Sequence, residues 1–147
     1  MTTPPLLDVP NACTPQDGIC TGGRPRPEHL RQAKERGVRR VVNLCPPNEA
    51  CDYDEAAVVA ALGLDYVNIP VAGPADLTPE NARKLAEAIR DASAAHPVFV
   101  HCASGNRVGG LFAIKARYVD GLDAERALAV GRSAGLTKLE PEVRKLL

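Results

Sequence analysis

Cys102 and Arg107 are the two residues whose types and spacing point most directly to covalent chemistry. They lie in the run Val98-Phe99-Val100-His101-Cys102-Ala103-Ser104-Gly105-Asn106-Arg107-Val108-Gly109-Gly110. This stretch predicts a short buried strand over Val98 to His101, a tight turn from Cys102 to Arg107, and a helix from about Val108. Amide groups of such a turn and of the first helical residues lack internal acceptors, and the helix dipole adds partial positive charge, so the spot attracts anions. The same field favours thiolate over thiol: a cysteine at a helix N-terminus can fall from about 8.5 to roughly 3.5 to 7.5. Arg107 brings a planar fork of donors suited to a tetrahedral oxyanion. A charged nucleophile, an amide cradle and a guanidinium clamp together define an anion-directed thiolate site. Ala103, Ser104, Gly105, Asn106 and Val108 complete the expected substrate-binding loop, with Gly105 supplying a backbone angle that a side chain would forbid. His101 precedes the nucleophile and, by strand alternation, points to the opposite face, where it orients the loop by hydrogen bonding.

The elements that must hold this turn alternate along the chain. Residues 1–17 are rich in proline and polar types and read as a flexible arm, with one domain over 18–147. Ile19 to Gly23 reads as a short edge strand, and Pro27 to Arg36 as a helix closed by Gly37. Val38 to Leu44 is a buried strand, Asp52 to Leu62 a helix stopped by Gly63, and Tyr66 to Val71 a strand. Thr78-Pro79-Glu80 starts a helix that runs to about Ala95. Two more helices, Ala124 to Arg132 and Glu140 to the end, follow the one after the loop. This order predicts an α/β fold: a mainly parallel central sheet flanked by helices. Gly109 and Gly110, inside a helix, read as close-approach positions that press it against the sheet. Ligands in such folds collect beyond the C-terminal strand ends, where Cys45, Asp76 and Cys102 all lie. Cys45 becomes a candidate partner of Cys102, by a reversible disulfide or as acceptor of a sulfur atom.

His101-Cys102-x-x-Gly105-x-Arg107 resembles the active-site loop of protein tyrosine and dual-specificity phosphatases. The match is closer to their bacterial relatives, the beta-lactamase hydrolase-like, phosphatase-like domain family, and extends from about Gly18 to the C-terminus. The resemblance implies a protein tyrosine phosphatase-like fold and phosphomonoester hydrolysis through a cysteinyl-phosphate. It also implies that Asp76, 26 residues before Cys102, is on the loop that carries the general acid. Two departures are present. Four residues separate Cys102 from Arg107, the spacing of rhodanese sulfurtransferases rather than the phosphatase five. Val108 stands where the superfamily places Ser or Thr.

Three readings follow. The first is a phosphatase using Cys102, Arg107 and Asp76. The second is a sulfurtransferase in which Cys102 carries sulfane sulfur from thiosulfate or a persulfide. The third is a non-catalytic anion-binding module. In each, the partner is a phosphorylated or sulfur-containing anion.

Composition narrows the classes. With 18 Lys plus Arg against 18 Asp plus Glu, no net field steers the chain to nucleic acid. The first ten residues have no basic start and no long apolar run, so neither a leader nor a membrane span is expected and the chain is placed in the cytoplasm. Its five cysteines are expected to stay reduced, and their spacings are not those of a zinc knuckle, so no metal or cofactor is expected. Nothing in the sequence speaks to oligomeric state.

Overall fold

A computed structural model describes residues 6–147. Five strands form one sheet: β1 (Cys13–Gln16), β2 (Ile19–Gly22), β3 (Arg40–Asn43), β4 (Asp65–Asn68) and β5 (Val98–His101). Their order is β1-β2-β5-β3-β4, with β1 antiparallel to β2 and every other pairing parallel. Among the described residues the six α-helices are α1 (Pro27–Glu35), α2 (Glu55–Ala61), α3 (Pro79–Ile89), α4 (Asn106–Tyr118), α5 (Ala124–Ser133) and α6 (Glu140–Lys145). The α/β architecture is the one read from the alternation of patterns.

Strand side chains alternate between two apolar layers. Cys20, Val41 and Phe99 face α1 and α2, packing with Leu30, Ala33 and Val59. Ile19, Val42, Val98 and Val100 face α3 to α6, packing with Leu85, Leu111, Leu128 and Val143. Helix starts follow local chemistry. Thr78 Oγ1 accepts the Asn81 amide at 3.2 Å ahead of Pro79, and Asp54 Oδ1 accepts the Ala57 amide at 3.1 Å. That cap sets α2 to begin at Glu55 rather than Asp52.

The N-terminal segment differs from the expected loose arm. Leu7 and Val9 are buried in the α1/α2 layer, and Cys13–Gln16 pairs with β2 as the edge of the sheet. Two buried apolar side chains and a strand ladder outweigh the proline-rich composition that suggested disorder. Ile19–Gly22 is consequently an inner strand, not an edge. Residues 1–5, the start of that expected arm, lie outside the described residues.

Gly109 does not press against the sheet. A Cβ built there would lie 2.1 Å from the Leu136 backbone nitrogen, so the missing side chain admits the α5–α6 connection against α4. Gly110 faces Leu77 and Val143.

Candidate active site

β5 delivers Cys102 to the head of α4. The Cys102 amide still donates to Gly22 O at 3.3 Å, continuing the sheet ladder one step past the strand. The chain then reverses in three residues, and Gly105 takes φ +95° as the helix N-cap. A Cβ at Gly105 would find its nearest neighbours at 3.8 Å, so backbone strain rather than crowding reserves the position for glycine. Helix α4 begins at Asn106, two residues before the expected Val108. The Gly105 amide donates to Cys102 Sγ at 3.1 Å. The first helical bond, Gly109 N–H to Gly105 O at 3.0 Å, leaves the amides of Asn106, Arg107 and Val108 ahead of it without helical acceptors.

Neighbouring strands hold the loop in place. Arg24 donates its amide to Ala103 O at 3.0 Å, and Asn11 Nδ2 donates to Ser104 O at 2.8 Å. Ala103 and Ser104 face solvent. Asn106 turns its side chain away from the loop, and its Oδ1 accepts from Thr137 N, Thr137 Oγ1 and Leu139 N at 2.9, 3.1 and 3.1 Å. The Val108 side chain is buried among the α3–α6 apolar residues, so Val108 can offer an anion its amide alone.

His101 lies on the α1/α2 side, stacked on Phe99 with ring centroids 5.3 Å apart, whereas Cys102 belongs to the opposite layer. Its Nε2 is 2.6 Å from the Glu55 carboxylate and its Nδ1 is 3.2 Å from Cys102 O. A carbonyl oxygen only accepts, so Nδ1 donates to it. Glu55, buried at the start of α2, had no place in the sequence reading. Its four-residue spacing from the core residue Val59 put both on one helix face and was the available signal.

The guanidinium of Arg107 is where three strand ends meet. Its Nη1 donates to Val71 O at 2.8 Å, beyond β4, and its Nη2 lies 3.9 Å from Cys45 Sγ, beyond β3. Its fork is filled by the Glu49 carboxylate, at 2.9 Å to Oε1 and 3.0 Å to Oε2. Arg24 Nη2 reaches the same Oε2 at 2.8 Å and Cys45 Sγ at 3.3 Å, and its Nη1 donates to Ala50 O. Arg107 holds the Glu49 carboxyl down to about 2. Burial pushes the Cys45 thiol up to about 11, opposed by the Arg24 hydrogen bond and reinforced by Glu49. Cys45 is therefore a thiol near neutral pH, and all five cysteines are unpaired. Cys102 is fully buried and belongs to the same apolar layer as Cys45.

Asp76 ends a short 3-10 turn, Pro74–Asp76, on the loop after β4. Its Oδ2 accepts the Ala72 amide at 2.9 Å, and its backbone carbonyl accepts Asn81 Nδ2 at 2.8 Å. Among the described residues no hydrogen bond joins it to Cys102, Arg107 or Cys45. Glu49 and Arg24 were also absent from the sequence reading. Both follow strand C-termini, where a parallel sheet gathers its ligands, and that placement could have found them. They line a cleft of about 500 Å³ with Cys45, Tyr53, Tyr66 and Asn68.

Fold and loop together define a protein tyrosine phosphatase-like domain. The core catalytic domain of the PP-IP phosphatase SIW14 from S. cerevisiae, in complex with citrate, superposes with a TM-score of 0.73 at 18% identity, covering 95% of this chain and 85% of that one. A cysteine-to-serine variant of P. aeruginosa TpbA in complex with pTyr gives 0.64 at 18% identity, over 99% and 85%. Residues 19–118 match the family "Beta-lactamase hydrolase-like protein, phosphatase-like domain", and the chain belongs to that family. The beta-lactamase hydrolase-like protein of Xylella fastidiosa (strain Temecula1 / ATCC 700964) is 30% identical over 122 residues, 80% of this chain. The chain spans 27% of the length of that relative.

Proposed function

We propose that the domain is a cysteine-dependent phosphomonoesterase. The Cys102 thiolate attacks phosphorus, forming the S–P bond as the ester P–O bond breaks. Asp76, released from the Ala72 amide, gives its proton to the leaving oxygen. Water then attacks the cysteinyl-phosphate and gives a proton back to Asp76, releasing inorganic phosphate and the thiolate. Arg107 and the amides of Asn106, Arg107 and Val108 hold the non-bridging oxygens through both steps. The observation that carries this reading is the Gly105 N–H donated to Cys102 Sγ at 3.1 Å at the head of α4, with Arg107 in the first helical turn. Family membership and the pTyr complex of the TpbA variant support phosphoesters as the substrate class.

Sulfur transfer is a second reading, favoured by the four-residue spacing and by a second sulfur, Cys45, beside the same guanidinium. A thiol pushed up to about 11 is a weak acceptor near neutral pH, which ranks phosphate first.

Hydrolysis of p-nitrophenyl phosphate and thiosulfate-to-cyanide sulfur transfer, measured on one preparation, separate these readings. Phosphoester turnover that vanishes in Cys102→Ser is the expected result. Sulfur transfer without phosphoester turnover replaces the first reading with the second. An anion affinity indifferent to that substitution, with no turnover of either substrate, leaves a binding module.

A further inference from the structure

Arg24 and Arg107 converge on one oxygen. Glu49 Oε2 receives Arg24 Nη2 at 2.8 Å and Arg107 Nη2 at 3.0 Å, while Oε1 takes the other arm of the Arg107 fork at 2.9 Å. Two guanidinium groups brought to a single oxyanion make a seat for negative charge, and in this structure the chain's own carboxylate fills it. Arg107 belongs to the anion loop, but Arg24 comes from the connection after β2 and is fixed by its backbone N–H, which donates to Ala103 O at 3.0 Å. Arg24 also lines the cleft of about 500 Å³. That cleft is lined by Arg24 and Glu49 but by neither Cys102 nor Arg107, so Arg24 is the cation that the cleft and the two-guanidinium seat share.

Glu49 leaves this seat only for an anion that replaces it at the guanidinium groups, because its carboxylate is held there by three charge-assisted hydrogen bonds. Its side chain is 31% exposed, so the departing carboxylate meets water rather than an apolar wall. Arg24 takes Oε2 alone whereas Arg107 takes both carboxylate oxygens, so an anion that replaced Glu49 on Arg107 only would leave it the Arg24 contact. Two linked phosphates displace it from both arginines and satisfy both.

We propose that Arg24 is a specificity-determining residue, the second guanidinium of a two-arginine seat that selects phosphoryl groups carrying an adjacent phosphate. This deepens the phosphatase reading and rests on its anion loop, but it is read by binding. Absent turnover would sink the reaction and leave the seat standing, whereas an indifferent Arg24 would sink the seat and leave the reaction.

Calorimetric titration of the protein with inorganic phosphate and with pyrophosphate, in metal-free buffer, tests it. Pyrophosphate is expected to bind at least tenfold tighter than phosphate, and Arg24→Ala to bring that ratio close to one. Arg24→Lys, which keeps the charge but loses the fork, gives an intermediate ratio and serves if the alanine variant fails to fold. Arg126→Ala removes an exposed cation paired with Asp123 and controls for general attraction to a more highly charged anion, so it preserves the ratio. Glu49→Gln, which removes the internal competitor, tightens both anions. Equal affinities in the unaltered protein overturn the proposal, as does a ratio that survives Arg24→Ala in a folded protein or falls equally in Arg126→Ala. Absence of binding by either anion, or pyrophosphate binding that persists in Arg107→Ala, overturns it as well.

Discussion

Glu49 sets the state of the anion seat before any ligand arrives. Its carboxyl titrates at about 2 in the folded chain because Arg107 holds the charged form, against an ordinary 4.5. The unfolded chain takes up that proton first as pH falls. The stability Glu49 contributes is therefore whole above about 4.5 and is lost on the way down to 2. Urea midpoints measured between pH 5 and pH 2 should fall less steeply in Glu49→Gln than in the unaltered protein, and equal slopes would refute the assignment. At this scale the sequence was legible where chemistry is local. Cys102, Gly105 and Arg107 announce themselves by type and spacing within a single turn. Glu49 and Arg107 are 58 residues apart, and only strand order brings them together, so no local pattern could reveal the pair.

Helix α4 carries the loop at its head and is itself held from behind. The side chain of Asn106, a residue expected in the substrate-binding loop, gathers three donors from the α5–α6 connection. Asn106→Ala strips the acceptor from all three, two of them on exposed Thr137 and one on part-buried Leu139, and should cost about 0.5–1.5 kcal/mol, the net worth of a typical hydrogen bond. Asn106→Asp keeps an acceptor oxygen and should cost less, which chemical denaturation of the two variants would check. An alanine variant as stable as the parent would show that water replaces Asn106 without loss. Helix starts with a proline or hydroxyl signal, such as Thr78-Pro79, were legible in the sequence, and the α2 start was shifted because Asp54, not Asp52, caps it. The role of Gly109 was not legible, since a helix interior gives no hint of which neighbour comes close.

Two apolar layers on one sheet make the whole molecule, and the parallel order of its inner strands followed from the alternation of strand and helix patterns. The N-terminal segment escaped that reading because its buried residues, Leu7 and Val9, are few and its strand contains Pro15. Leu7 is fully buried in the α1/α2 layer, so Leu7→Ala should cost about 2–5 kcal/mol of unfolding free energy. A melting temperature unchanged by that substitution would return the segment to the status of a loose arm. Register has the widest reach. β5 aligns Val98 with Arg40 and His101 with Asn43 on one side, and Val98 with Ile19 on the other. Sliding β5 by a single position would send the Cys102 sulfur to the imidazole's layer and the imidazole to the sulfur's. A one-residue insertion or deletion within Val98–His101 would therefore exchange the two layers that the sheet keeps apart, whereas a change of length in the loop after His101 would leave the register untouched.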